Sequence, residues 1–179
     1  MSVKFWNLIA SPAPIRVSTM ATEAQTDDLR GLLSHYPAGV CVVTVAAGEH
    51  KLGLTVGSLV SLSLDPPLVG FAVSREAAMH ELLREAGGCA LSTLAAGQEW
   101  LAQHFARGVP PIAMWHRIAT AQGANGAPLL VGALGWLECG LREQVRTGTH
   151  TFFVCEVRRV ELGADASALV RVRGEYASA

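Results

Sequence analysis

Between Gly53 and Ser74 the chain sets Thr55, Ser58, Ser61, Ser63 and Ser74 among glycines and aliphatic residues. Small hydroxyls and accessible backbone amides at a bend suit a flat ligand with a polyol or phosphate tail, because a pocket needs few polar groups to orient an otherwise apolar contact. The same serines also suit turns, where they satisfy backbone groups, so the segment alone leaves both readings open. Arg75 follows directly. It would give charge-assisted hydrogen bonds to an anion, or stand solvated as the opening residue of a helix. His150 lies in a turn between Thr149 and Thr151. General catalytic signatures are absent: there is no Gly-x-Ser-x-Gly elbow, no P-loop and no Gly-x-Gly-x-x-Gly turn. Cys41, Cys89, Cys139 and Cys155 form no Cys-x-x-Cys pair. They read as buried reduced thiols rather than a zinc or redox motif, and the six scattered histidines give no metal site.

The elements that must position these residues are mostly strands. Val40 to Ala46 is a β-branched run too continuous for a half-exposed strand, so it predicts a strand buried on both faces. A polar turn at 48–51 and the extended Leu52 to Val56 complete a hairpin. The serine segment continues from Gly57 to Leu64, with a bend near Gly57, and Asp65-Pro66-Pro67 stops it. Leu68 to Val73 is a third strand, and Cys89 to Leu94, 129–131, 134–139 and 151–162 are further ones, with 168–173 closing the sheet. A short helix begins at Asp27, capped by aspartate and ended by Pro37-Ala38-Gly39. A second spans Ala77 to Glu85 and ends at Gly87-Gly88, a third runs from about Gly97 through Phe105, and 119–128 reads as a loop. Six or seven strands joined mostly by hairpins, with inserted helices, predict a mainly β fold and a closed or nearly closed antiparallel barrel.

The chain has 179 residues, 50% hydrophobic and 16% charged, with a formal net charge of −1. That suits one domain and excludes a disordered chain. The absence of a basic run gives no footprint for nucleic acid or an anionic membrane surface. The longest uncharged stretch is too rich in glycine and polar residues for a membrane span. The low charge and 18 glycines suggest that part of the surface is covered by a second copy. Residues 1–25 read as a flexible tail without a signal peptide and 26–179 as the domain, with a cytoplasmic location expected from the reduced thiols.

Several segments together carry a family resemblance: Pro37-Ala38-Gly39-Val40 with Val42-Val43-Thr44; the run from Gly53 through Thr55, Ser58, Ser61 and Ser63 to Asp65-Pro66-Pro67; Cys89 to Leu94; Gly148-Thr149-His150-Thr151; and Arg173-Gly174-Glu175-Tyr176. Over about residues 28–176 the chain resembles the short-chain flavin reductases, which include the small components of two-component flavin monooxygenases. The resemblance implies an FMN-binding split β-barrel, usually a homodimer, that passes a hydride from NADH or NADPH to FMN or FAD. The reduced flavin then leaves for a partner monooxygenase. By position, Thr55, Val56, Ser58, Ser61, Leu62 and Ser63 would hold the flavin, and Ser74 and Arg75 would approach its phosphate. Phe105 would pack near the flavin, unless it is plain core, and His150 would lie near the nicotinamide. The chain departs from the family at Ala77 and Met79, where hydroxyls are usual, and at Thr149, where an aspartate would orient the imidazole. These departures leave room for a non-catalytic flavin-binding or redox-sensing protein, a structural barrel dimer, or an FMN-dependent reductase of another small substrate.

Overall fold

In chain order the elements are α1 (Thr26–Ser34), β1 (Ala38–Gly39), β2 (Cys41–Ala47), β3 (His50–Val56), β4 (Val60–Leu64), β5 (Pro67–Ser74), α2 (Ala78–Ala86) and β6 (Gly88–Thr93). They continue with α3 (Glu99–Ala106), α4 (Pro111–Met114), β7 (Thr120–Gln122), β8 (Pro128–Leu130), β9 (Gly135–Thr147), β10 (His150–Leu162), β11 (Leu169–Val172) and β12 (Glu175–Ser178). This computed structural model describes residues 25–179, so the expected tail lies, apart from Gln25, outside the described residues.

Seven strands form one sheet in the order β3-β2-β6-β9-β10-β5-β4, and every pairing in it is antiparallel. Its two edge strands, β3 and β4, are consecutive in the chain and joined only by Gly57, Ser58 and Leu59. Such a link spans at most about 14 Å, whereas seven flat strands at ~4.8 Å spacing would hold the edges ~29 Å apart. The sheet must therefore roll until its edges approach, and the Ser58 side chain ties the link to β5, its Oγ accepting from the Ala72 N–H at 3.0 Å. The mainly β, antiparallel fold with inserted helices expected from the sequence is the one observed.

The β-branched run works as expected, with Val42, Val43 and Val45 fully buried in β2. On one face the Thr44 hydroxyl donates to the Pro128 carbonyl of β8 at 2.6 Å, and α2 also packs on this strand. Helix α2 buries Met79, His80, Leu82 and Leu83 and ends at Gly87, whose φ of 63° is the left-handed conformation glycine tolerates. All four cysteines are free and buried.

Four local expectations need correction. Helix α1 takes Gln25 as its N-cap, with no side-chain cap; Asp27 and Asp28 sit in its first turn instead, where they favour the positive end of the helix dipole. Residues 169–172 do not close the large sheet; they form a separate three-stranded sheet, β1-β11-β12. The 119–128 region is not loop throughout, because its residues 120–122 form β7, which pairs with β8. The strand expected over 134–139 continues to Thr147, pairing with β10 through a polar stretch that no apolar run could reveal.

Candidate functional site

Strand alternation sorts β5 and β10 into two faces. Val69, Phe71 and Val73 pair with Cys155, Phe153 and Thr151 toward the core. Gly70, Ala72 and Ser74 pair with Val154, Phe152 and His150 on the opposite, less buried face. A Cβ on Gly70 would run into the Phe152 ring and come within 3.1 Å of Leu62. The missing side chain therefore lets an aromatic ring and a leucine of edge strand β4 lie across the sheet as an apolar surface. Ser58, tied to Ala72, and the Ser74–His150 pair place polar groups around it.

The upper end of this face is a clamp between β5 and the β9–β10 turn. The Arg75 N–H donates to the Thr149 carbonyl at 3.1 Å, and its guanidinium donates to the Gly148 carbonyl at 3.4 Å while remaining exposed. His150 Nδ1 shares a hydrogen bond of 2.9 Å with the Thr149 hydroxyl. Thr149 thus orients the imidazole where the resemblance has an aspartate, and it does so without charge. The Ser74 and Ser63 hydroxyls accept from the backbone N–H groups of Glu76 and Asp65, while Ser61 is exposed on β4.

The structure thus brings Ser58, Leu62, Ser74, Arg75 and His150 onto one face and its rim. Thr55 and Val56 lie elsewhere, at the end of β3 on the floor of a groove of about 730 Å³ that α1 and the β11–β12 hairpin complete. The Thr55 hydroxyl is engaged, donating to the Ala102 carbonyl of α3 at 2.7 Å. Phe105 is core, 2% exposed, with its ring filling the space above Gly53, where a Cβ would come within 2.5 Å. Two residues of the face went unread in the sequence, Gly70 and Phe152. The available signal was register: a glycine inside an apolar strand marks a close approach, and Phe152 alternates with the core-facing Thr151 and Phe153.

Behind the face, the buried His80 of α2 joins the helix to β10. Its Nδ1 donates to Glu81 Oε1 at 2.8 Å, and its Nε2 lies 2.8 Å from Thr151 Oγ1. A carboxylate only accepts, so in the neutral ring Nε2 accepts from the threonine hydroxyl. The hydrogen bond from His80, with help from the charge of Arg84, holds the Glu81 carboxyl below its ordinary 4.5. Among the described residues, no group of three or more His, Cys, Asp or Glu is placed to hold a metal ion, and no helix is long and apolar enough to cross a membrane.

Known proteins resemble this chain in both architecture and sequence. The chain is 41% identical over 132 residues to an NADH-dependent FAD reductase of Streptomyces globisporus, covering 72% of each chain. It is 38% identical over 144 residues to the reductase component of 4-hydroxyphenylacetate 3-monooxygenase from Thermus thermophilus, covering 80% of this chain and 90% of that one. Among solved structures, BorF, the flavin reductase component of a bacterial two-component tryptophan halogenase, superposes with a TM-score of 0.80 at 39% identity, covering 86% of this chain and 98% of its own. The rolled antiparallel sheet is accordingly the split barrel of these reductases. The model of the flavin reductase like domain matches residues 33–179, the whole sheet and the clamp around His150 included, and the chain belongs to that family.

Proposed function

We propose that the protein is an NAD(P)H:flavin oxidoreductase that passes a hydride from NADH or NADPH to FMN or FAD and releases reduced flavin to a partner monooxygenase. The observation that carries this reading is the face on which Ser58, Ser74 and His150 surround the apolar surface of Leu62, Gly70 and Phe152. The residues fit a flavin: the surface offers flat apolar contact, its rim offers hydroxyls, and Arg75 keeps an exposed guanidinium for a phosphate. The nicotinamide and the flavin supply the redox chemistry when bound. The protein supplies position. Leu62 and Phe152 support the ring system, the backbone of edge-strand residues Ser61 to Ser63 offers polar groups to its edge, and Arg75 draws the phosphate to the clamp. His150, held by Thr149, orients the nicotinamide. Relatives named as NADH-dependent reductases favour NADH as the donor.

The half-exposed face and the apolar edge strand, with Val60 and Leu62 more than 40% exposed, support a homodimer whose seam covers the flavin. The free, buried thiols support a reducing, cytoplasmic setting. The test is a matrix of NADH and NADPH against riboflavin, FMN and FAD, following loss of nicotinamide absorbance. Oxidation above the protein-free rate with at least one pair is expected. Tight flavin binding with no oxidation would instead make the protein a flavin-binding sensor, and neither binding nor oxidation would leave only a structural barrel.

A further inference from the structure

The groove on the other side of the Gly57 bend carries charge of one sign among its lining residues. Helix α1 buries none of its residues; its Leu29 and Leu33, with Tyr36 just beyond its C-terminal end, line the groove. Every charged residue that lines it is an arginine, Arg30, Arg171 and Arg173, although the chain as a whole carries a net charge of −1. Arg30 is partnered by Asp27 at 3.3 Å, but neither Arg171 nor Arg173 forms an ion pair with any described residue. Arg171 lies instead 6.0 Å above the Tyr176 ring.

Backbone conformation points the same way. Arg173 and Gly174 form the two-residue turn between β11 and β12, with φ of 53° and 82°. Such turns favour asparagine or glycine at the first position, and a long side chain in the left-handed region is uncommon. An arginine held in this conformation at the lining of a groove is a candidate for a functional contact.

We propose that this groove binds the phosphate-bearing part of a nucleotide, with its ring against Leu29, Leu33 and Tyr36 and its phosphate on Arg171 and Arg173. The inference rests on the flavin reductase reading, which supplies two nucleotides as substrates. The volume of about 730 Å³ lies in the range of small-molecule sites. The floor residues Thr55, Val56 and Gly57 run directly into Ser58 on the His150 face, so a molecule crossing that bend touches both regions.

The test uses the full chain and the variants R171Q/R173Q and R173G. Binding of riboflavin and FMN is read from flavin fluorescence, and binding of ADP from its shift of Tm. R173G removes the guanidinium while relieving the left-handed backbone, so its Tm should not fall. In both variants affinity for FMN or for ADP should weaken about tenfold or more, the scale of a charge-assisted hydrogen bond, with riboflavin unchanged. Loss with FMN moves the flavin phosphate from Arg75 to the groove, and loss with ADP assigns the groove to the adenylate of the nicotinamide dinucleotide and leaves the flavin phosphate with Arg75. Unchanged affinity for both overturns the proposal, as does an equal loss with riboflavin. A change of oligomeric state without a change in binding would assign the groove to a second copy and overturn it too. If no flavin is reduced by wild-type protein, the activity reading fails; if reduction is intact but phosphate discrimination is unaltered, only the groove proposal fails.

Discussion

Thr149 gives the imidazole of His150 a hydroxyl partner at 2.9 Å, and a neutral hydrogen bond is worth about 1 kcal/mol net. Thr149→Ala should therefore raise KM for the nicotinamide about fivefold with flavin KM unchanged, measured by steady-state kinetics with each substrate varied in turn. Away from the clamp, Gly53→Ala would drive a Cβ into the Phe105 ring. Overpacking of this kind costs about 1–3 kcal/mol, read as a lower midpoint in urea. The cysteines should be silent in the folded protein. Burial pushes Cys41 up to about 12, and hydrogen bonding with the neighbouring Cys139 and Cys155, together with burial, raises Cys89 well above 9.0. Although the hydrogen bond from Cys89 lowers Cys155, that sulfur is fully buried, so a thiol reagent at pH 8 should modify the native chain only as fast as it opens. The hydroxyl-rich segment stood out as a candidate by residue type but stayed ambiguous alone, and His150 was singled out only by its position in the family resemblance. Phe152 was not, because it stands in a continuous apolar run where composition cannot tell the two faces apart. That the Thr55 hydroxyl already donates to the Ala102 carbonyl and that the Phe105 ring packs over Gly53 could be seen only once α3 was in place.

Helix α2 is fixed to the β10 strand through Glu81, His80 and Thr151, and this makes one element sensitive to acid. A carboxyl held below its unfolded value favours folding above that value, and the contribution disappears as pH falls through the lower, folded value. Below about pH 4.5 wild-type stability should therefore fall more steeply than that of Glu81→Gln, as followed by helical circular dichroism against pH. Because Glu81 is largely exposed, the difference is small and salt-sensitive. At this scale the sequence was most readable where one pattern dominated. The β2 run and the amphipathic α2 announced themselves, whereas the outer half of β9 carries Arg142, Glu143, Gln144 and Arg146, and is a strand only because β10 lies beside it.

The rolled sheet follows from two edge strands that are neighbours in the chain, a fact invisible until the strand order is known. Its working unit should be residues 26–179. Deleting 1–24, which leaves Gln25 to cap α1, is expected to leave kcat and Tm within error of the full chain, and loss of either would show that the segment contributes to the barrel or its site. A mass measurement by light scattering should give twice the chain mass, with Leu62→Glu shifting it toward the monomer and weakening flavin binding together. The β9–β10 loop has a further consequence for how the family can vary. It is only Gly148 and Thr149, between two paired strands of 13 residues, so the side of the ladder on which His150 emerges is counted from that loop. One inserted residue, if not absorbed as a bulge, would turn the imidazole inward and bring Thr151 to the surface. Two would restore its side but lift it from the Arg75 clamp. Surface loops elsewhere can drift in length, but this one holds parity, so natural diversity here should take the form of substitutions rather than insertions or deletions.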